Sequence, residues 1–97
     1  MEITIQCVNF DKSESLNDYI AKKLTKLERF ADIRTAEVTL RILHTSDKAN
    51  KEIGVKLLAG DEEFYASRQT EVYEDAVGQV VEALERQIIK SKEKKQS

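Results

Sequence analysis

From Glu2 to Val8 the chain alternates, with Ile3, Ile5 and Cys7 on one side and Thr4 and Gln6 on the other. That is the period of a strand with one face buried. Leu16, Ile20, Leu24, Leu27 and Ala31 then recur at helical spacing, which predicts an amphipathic helix capped by Asp11 or Ser13 and ending near Phe30. Alternation returns from Arg34 to Leu43, with Ala36, Val38, Leu40 and Ile42 opposite Thr35, Glu37, Thr39 and Arg41. A polar connection from Thr45 to Asn50 leads to another alternating run with Ile53, Val55 and Leu57. Ala59-Gly60-Asp61-Glu62 predicts a tight reversal into a strand around Glu63 to Arg68, with Phe64 and Ala66 inward. Tyr73, Val77, Val80, Leu84 and Ile88 form the stripe of a long last helix from Glu71 to about Glu93, with Thr70 as its expected cap.

The order β-α-β-β-β-α predicts an α+β domain. Because each strand carries a single apolar face, both helices are expected on one side of a four-stranded sheet, with the other side open to water.

Ninety-seven residues suffice for one core, so a single domain over residues 1–93 is expected, followed by a frayed basic tail over 94–97. Apolar residues make up 40% of the chain and charged residues 35%, which supports folding but leaves a heavily charged exterior. Apolar runs such as Val55 to Ala59 are far too short to span a bilayer, and Met1-Glu2 opens a strand pattern with no signal-peptide core. The expected compartment is the cytoplasm, with no membrane partner. Cys7 is alone and sits in a strand pattern, so a buried structural thiol is expected.

The net charge of −2 is unevenly placed. From Asp61 to Glu85 there are eight acids and one base, Arg68; from Arg86 to Ser97 there are five bases and one acid, Glu93. Local patches are therefore more informative than the total.

Catalysis needs several convergent polar groups, and the chain has one histidine, His44, one cysteine and three glycines. Without a metal-spaced Cys/His cluster or a phosphate-cradling loop, an enzyme is the weakest hypothesis, and neither cofactor nor small-molecule substrate is expected. Asp61-Glu62-Glu63 fits an acidic hairpin turn better than a cation site. The cations are more informative. At about 100° per residue, Lys22, Lys26 and Arg29 fall within about 60° of one another, opposite the apolar stripe, and Lys23 flanks them. Arg86, Lys90 and Lys94 share a sector of the last helix, with Lys92 and Lys95 nearby. Two such clusters could form one positive surface that contacts phosphates. The bland reading is that lysines at this spacing are routine on solvated helices, and that Lys26 and Arg29 have Glu28 beside them. Periodicity alone leaves the two readings level. Tyr65 is the sole aromatic on the open sheet face, too few for base stacking, so a binder here would recognise backbone and shape.

Lys23-Leu24-Thr25-Lys26-Leu27-Glu28-Arg29-Phe30, together with Val72-Tyr73-Glu74-Asp75-Ala76-Val77 and Leu84-Glu85-Arg86-Gln87-Ile88-Ile89-Lys90, resembles the short bacterial ribosome hibernation promoting factors. These are also called ribosome-associated inhibitors or, in older usage, sigma-54 modulation proteins. The resemblance covers nearly the whole chain, and the Leu-Glu-Arg-Gln run followed by spaced lysines is its most specific part. It implies a stationary-phase or stress factor on the small ribosomal subunit, in the channel used by messenger RNA and by A- and P-site tRNA, where it blocks initiation and stores the ribosome. Carried over by position, Lys22, Lys23, Lys26 and Arg29 of the first helix and Arg86, Lys90, Lys92 and Lys94 of the last would contact ribosomal RNA phosphates. Relatives often carry lysine where this chain has Ala83, and many are more basic, which implies weaker or more salt-sensitive binding here. The resemblance is to short forms, without the dimerisation domain of the long forms or the acidic tail of the inhibitor type, and favours ribosome pairing together with another factor. A monomer is expected when free.

A double-stranded RNA-binding domain shares the strand-strand-strand-helix ending, and the predicted fold is like it. Such domains place lysines at the start of the last helix, however, where this chain has Glu71, Glu74 and Asp75. An RNA-recognition motif would end on a strand and show aromatics on its sheet. The alternative from another class is a protein-protein module, for instance a modulator of sigma-54-dependent transcription, using the acidic first half of the last helix or a sheet edge.

Overall fold

The computed structural model describes residues 1–8, 11 and 13–96, with the backbone alone for 95 and 96. The chain forms β1 (Glu2–Val8), α1 (Glu14–Thr25), a 3₁₀ turn (Lys26–Arg29), β2 (Thr35–Ile42), β3 (Lys51–Ala59), β4 (Glu62–Thr70) and α2 (Tyr73–Gln96). The sheet order is β1-β2-β3-β4; β1 runs parallel to β2, and the other neighbours are antiparallel. The predicted β-α-β-β-β-α order therefore holds. A parallel pair needs a crossover connection, and α1 supplies it.

The register aligns the apolar parities into rows across the sheet. Ile3 pairs with Ala36, Ala36 with Leu57 and Leu57 with Phe64; Ile5, Val38, Val55 and Ala66 form the next row. A further row runs Cys7, Leu40, Ile53 and ends on Arg68. Ile20, Leu24 and Leu27 close over this face from α1 and the 3₁₀ turn, and Tyr73, Ala76, Val77, Val80, Leu84 and Ile88 close over it from α2. Each fully buried aliphatic side chain contributes roughly 1.5–3 kcal/mol. Cys7 is only half-buried, because its strand lies at an edge and its inner face is covered from one side.

Element boundaries follow local hydrogen bonding. Ser13, not Asp11, caps α1: its backbone is extended and its Oγ accepts from the Leu16 N–H at 3.3 Å. The helix tightens into 3₁₀ geometry at Lys26, one turn short of Phe30. Thr70 does not cap the last helix. It stays in β4, paired with Lys51, and its hydroxyl donates to the Val72 carbonyl at 2.5 Å, so α2 starts only at Tyr73. Gly60, at φ 62, makes the left-handed step of the reversal between Ala59 and Glu62. α2 runs to Gln96, about 36 Å at 1.5 Å per residue, along a molecule whose longest extent is 46 Å.

The β4 edge is covered by a side chain. The Tyr65 N–H donates to Gln87 Oε1 at 3.3 Å, and Gln87 Nε2 donates to the Tyr65 carbonyl at 2.8 Å. The amide thus occupies the place a further strand would take. At the other end of α2, the Tyr73 hydroxyl donates to the Arg41 carbonyl at 2.7 Å, tying the helix start to β2. Burial pushes the Tyr73 phenol up to about 12, with Cys7 and Glu52 adding to the shift.

Two outcomes follow from these anchors. Gln87→Ala should cost about 1 kcal/mol in urea unfolding and speed hydrogen exchange of the Tyr65 amide, while exchange in β2 stays unchanged. Tyr73→Phe should also cost about 1 kcal/mol near neutral pH. Because the folded phenol titrates above the unfolded one, the wild type should keep its full Tyr73 contribution below pH 10 and lose stability as pH rises towards about 12. The Phe variant should lack that component of the alkaline loss, as measured by chemical denaturation at stepped pH.

Candidate nucleic-acid interface

The helices bury their apolar stripes, so their cations must lie on the outer faces. Lys22 and Lys26 are exposed on α1 and the 3₁₀ turn. In 3₁₀ geometry residues three apart eclipse, which stacks Arg29 over Lys26 and tightens the cluster beyond what an α-helix would give. Arg29 lies with its guanidinium 5.8 Å from the Phe30 ring centroid. Lys23 is half-buried on the flank, its ammonium 5.5 Å from the Tyr19 ring centroid. Glu28, the acid nearest in sequence, turns to the N-terminal ammonium at 3.8 Å.

On α2, Arg86, Lys90 and Lys94 project on the flank that Gln87 fixes against the β4 edge. Gln87, Lys90, Ser91 and Lys94 line one shallow depression there. Lys92 is separated from them. It lies two positions, about 200° round the helix, from Lys90, and lines a depression of about 280 Å³ with Ala31, Asp32, Gly60, Phe64 and Ile88. That places Lys92 beside the segment following the 3₁₀ turn rather than with Arg86. Ser91 donates a hydrogen bond to Glu62 at the same end of the sheet. The side chain of Lys95 lies outside the described residues.

Charge on the sheet face is internally compensated. Lys56 lies 3.8 Å from Glu37 and 3.3 Å from Glu63, and Arg41 lies 4.0 Å from Glu52. Tyr65 lies across this face over Gly54, where an added Cβ would come within 2.9 Å of its hydroxyl. On α2, Glu82 holds Arg86 at 2.5 Å. Among the described residues, no ion pair takes up Lys22, Lys26, Arg29, Lys90 or Lys92. These five cations all lie on the helices and the 3₁₀ turn.

One basic residue was not singled out by sequence pattern as part of this surface. Arg68 lines a cleft with Gln79, Glu82, Ala83 and Arg86. Its signal was available: it continues the inward parity of Phe64 and Ala66 on β4, where an apolar residue is expected.

No group of three or more His, Cys, Asp or Glu that could hold a metal occurs among the described residues, and no helix among them is long and apolar enough to cross a membrane. The chain is thus a two-layer α+β domain whose helices carry Lys22, Lys26, Arg29, Lys90 and Lys92 outside any ion pair among the described residues. Residues 3–96 match the family described as Sigma 54 modulation protein / S30EA ribosomal protein, and the chain belongs to that family. It is 30% identical over 94 residues to a ribosome hibernation promoting factor of Azotobacter vinelandii, covering 97% of this chain and 85% of the relative. Its fold is similar to the Protein Y N-terminal domain of Thermus thermophilus, with a TM-score of 0.79 at 21% identity, covering 91% of this chain and 96% of that one. It is also similar to a ribosomal subunit interface protein of Coxiella burnetii, with a TM-score of 0.80 at 20% identity, covering 95% and 98% respectively.

The exposed cations should be dispensable for folding. Lys22→Ala and Lys26→Ala should each change stability by no more than about 0.5 kcal/mol, whereas Leu84→Ala, in the buried core, should cost roughly 2–5 kcal/mol in the same denaturation measurement.

Proposed function

We propose that the chain is a non-catalytic regulator of translation that binds the small ribosomal subunit in the channel for messenger RNA and A- and P-site tRNA. There it blocks translation and promotes ribosome hibernation in stationary phase or stress. The observation that carries this reading is the distribution of charge: on the open sheet face Lys56 and Arg41 are paired with carboxylates, whereas among the described residues no ion pair takes up Lys22, Lys26, Arg29, Lys90 or Lys92. Lysine and arginine on an exposed helical face displace counterions from a phosphate backbone, a gain that needs no base recognition. Lys22, Lys23, Lys26 and Arg29 would make one set of ribosomal RNA contacts, and Arg86, Lys90 and Lys94 another, with Lys92 reaching from the opposite flank of α2. The names of the Azotobacter and Coxiella proteins, a hibernation promoting factor and a ribosomal subunit interface protein, support the partner. The working unit is the domain over residues 1–93 together with the basic tail over 94–97, monomeric and cytoplasmic, without a cofactor.

The family description also carries sigma-54 modulation, which keeps a protein-protein role as the rival. Salt separates the two. Four phosphate contacts weaken binding roughly fifty- to a hundred-and-fiftyfold over a fourfold rise in salt, whereas an apolar protein interface changes little. Co-sedimentation with purified small subunits over a salt series should show salt-sensitive binding by the wild type. A variant with Lys22, Lys26, Arg86 and Lys90 all changed to Glu should lose it. Absence of wild-type binding at low salt would reject the ribosome reading in favour of the rival.

A further inference from the structure

The row Cys7–Leu40–Ile53–Arg68 crosses the helix-facing side of the sheet, and its first three members are buried or half-buried. Arg68 ends that row at the free edge of β4, where it faces α2 instead of the open sheet face. Across from it stand Gln79, Glu82, Ala83 and Arg86, enclosing a shallow cleft of about 160 Å³. At about 30 Å³ per water, that is room for roughly five waters, or for one phosphate group. Ala83 is small and half-buried, so the cleft floor stays open between the two guanidinium groups.

The charge of this cleft is unbalanced. Two guanidinium groups line it with a single carboxylate, and that carboxylate is committed to Arg86 at 2.5 Å. The Arg68 guanidinium has a neutral partner, the Ser67 carbonyl at 2.6 Å. A planar guanidinium matches a phosphate bidentately, and the Gln79 amide can add a neutral N–H donor. From the cleft, Arg86, Lys90 and Lys94 continue along the same flank at about 6 Å of rise per step, so a phosphate held here would lie in line with the proposed backbone track.

We propose that the cleft between β4 and α2 is a phosphate-binding site in which Arg68 and Gln79 join Arg86, and in which Glu82 holds Arg86 until nucleic acid displaces it. The site rests on the ribosomal RNA reading, to which it adds a residue from the sheet and an intramolecular competitor. Glu82 lowers affinity because binding must break its pair with Arg86 and place phosphate beside a carboxylate.

The test is binding of Arg68→Gln and Glu82→Gln to small subunits over a salt series, beside the wild type and the fourfold Glu variant. Arg68→Gln should weaken binding about five- to tenfold at low salt and flatten the slope of log Kd against log salt by about 0.7–0.9, the loss of one phosphate contact. Glu82→Gln should tighten binding by a few-fold. Thermal melts of both single variants should overlay the wild type, because both positions are exposed. If Arg68→Gln keeps the wild-type Kd and slope while the fourfold variant loses binding, the cleft is overturned and the ribosome reading stands. If the wild type fails to bind at any salt, both fall.

Discussion

One face of the sheet must be covered, and the rest of the structure follows from that constraint. Parallel pairing of β1 with β2 and antiparallel pairing of β2, β3 and β4 bring Ile3, Ala36, Leu57 and Phe64, and then Ile5, Val38, Val55 and Ala66, into continuous apolar rows. These rows would be exposed without α1 and α2, and neither helix could keep its stripe dry without the rows. The opposite face is left to water, where Lys56, Glu37 and Glu63, and Arg41 and Glu52, compensate one another across strands. A surface whose charges are already matched has little to offer a polyanion. Electrostatic recognition is therefore left to the other side of the domain, the helices and the β4 edge beside α2.

The length of α2 divides its labour. Its stripe from Tyr73 to Ile88 packs on β3 and β4, and its last two turns carry Lys90, Lys92 and Lys94 past the core. Acids at its start and cations at its end suit the helix dipole, so the arrangement that presents positive charge also stabilises the helix. The same helix closes the sheet edge, since Gln87 returns both hydrogen bonds that Tyr65 would otherwise offer to a strand from another molecule. Tethering by Gln87 at one end and Tyr73 at the other fixes the rotation of α2, and with it the flank on which Arg86, Lys90 and Lys94 emerge.

Much of this was legible in the sequence. Alternation placed all four strands, the 3.6-residue period placed both helices, and the turn at Gly60 stands where Ala59-Gly60-Asp61-Glu62 put it. The helix starts were legible only as alternatives at Asp11 and Ser13, and were misplaced at Thr70, for one reason. Asp11, Ser13 and Thr70 all have side chains able to cap, and only the path of the backbone decides which oxygen meets a free N–H. Thr70 is held in β4 by its pairing with Lys51, and so cannot begin a helix.

The candidate surface was half legible. Spacing grouped Lys22, Lys26 and Arg29 because they share one helix, and the 3₁₀ turn only tightened that group. Spacing parts Lys92 from Lys90 by about 200°, but it could not show which flank of α2 faces β4, since that depends on how the helix docks. Nor could it show Arg68 meeting Arg86, because contact between residues far apart in the chain exists only once β4 and α2 pack. By itself the sequence determined which residues are apolar, at what period, and hence which elements form and which faces they bury. Tertiary structure alone decided which charges meet a partner and which remain in water, because pairing depends on distance in space, and a one-dimensional pattern does not contain it.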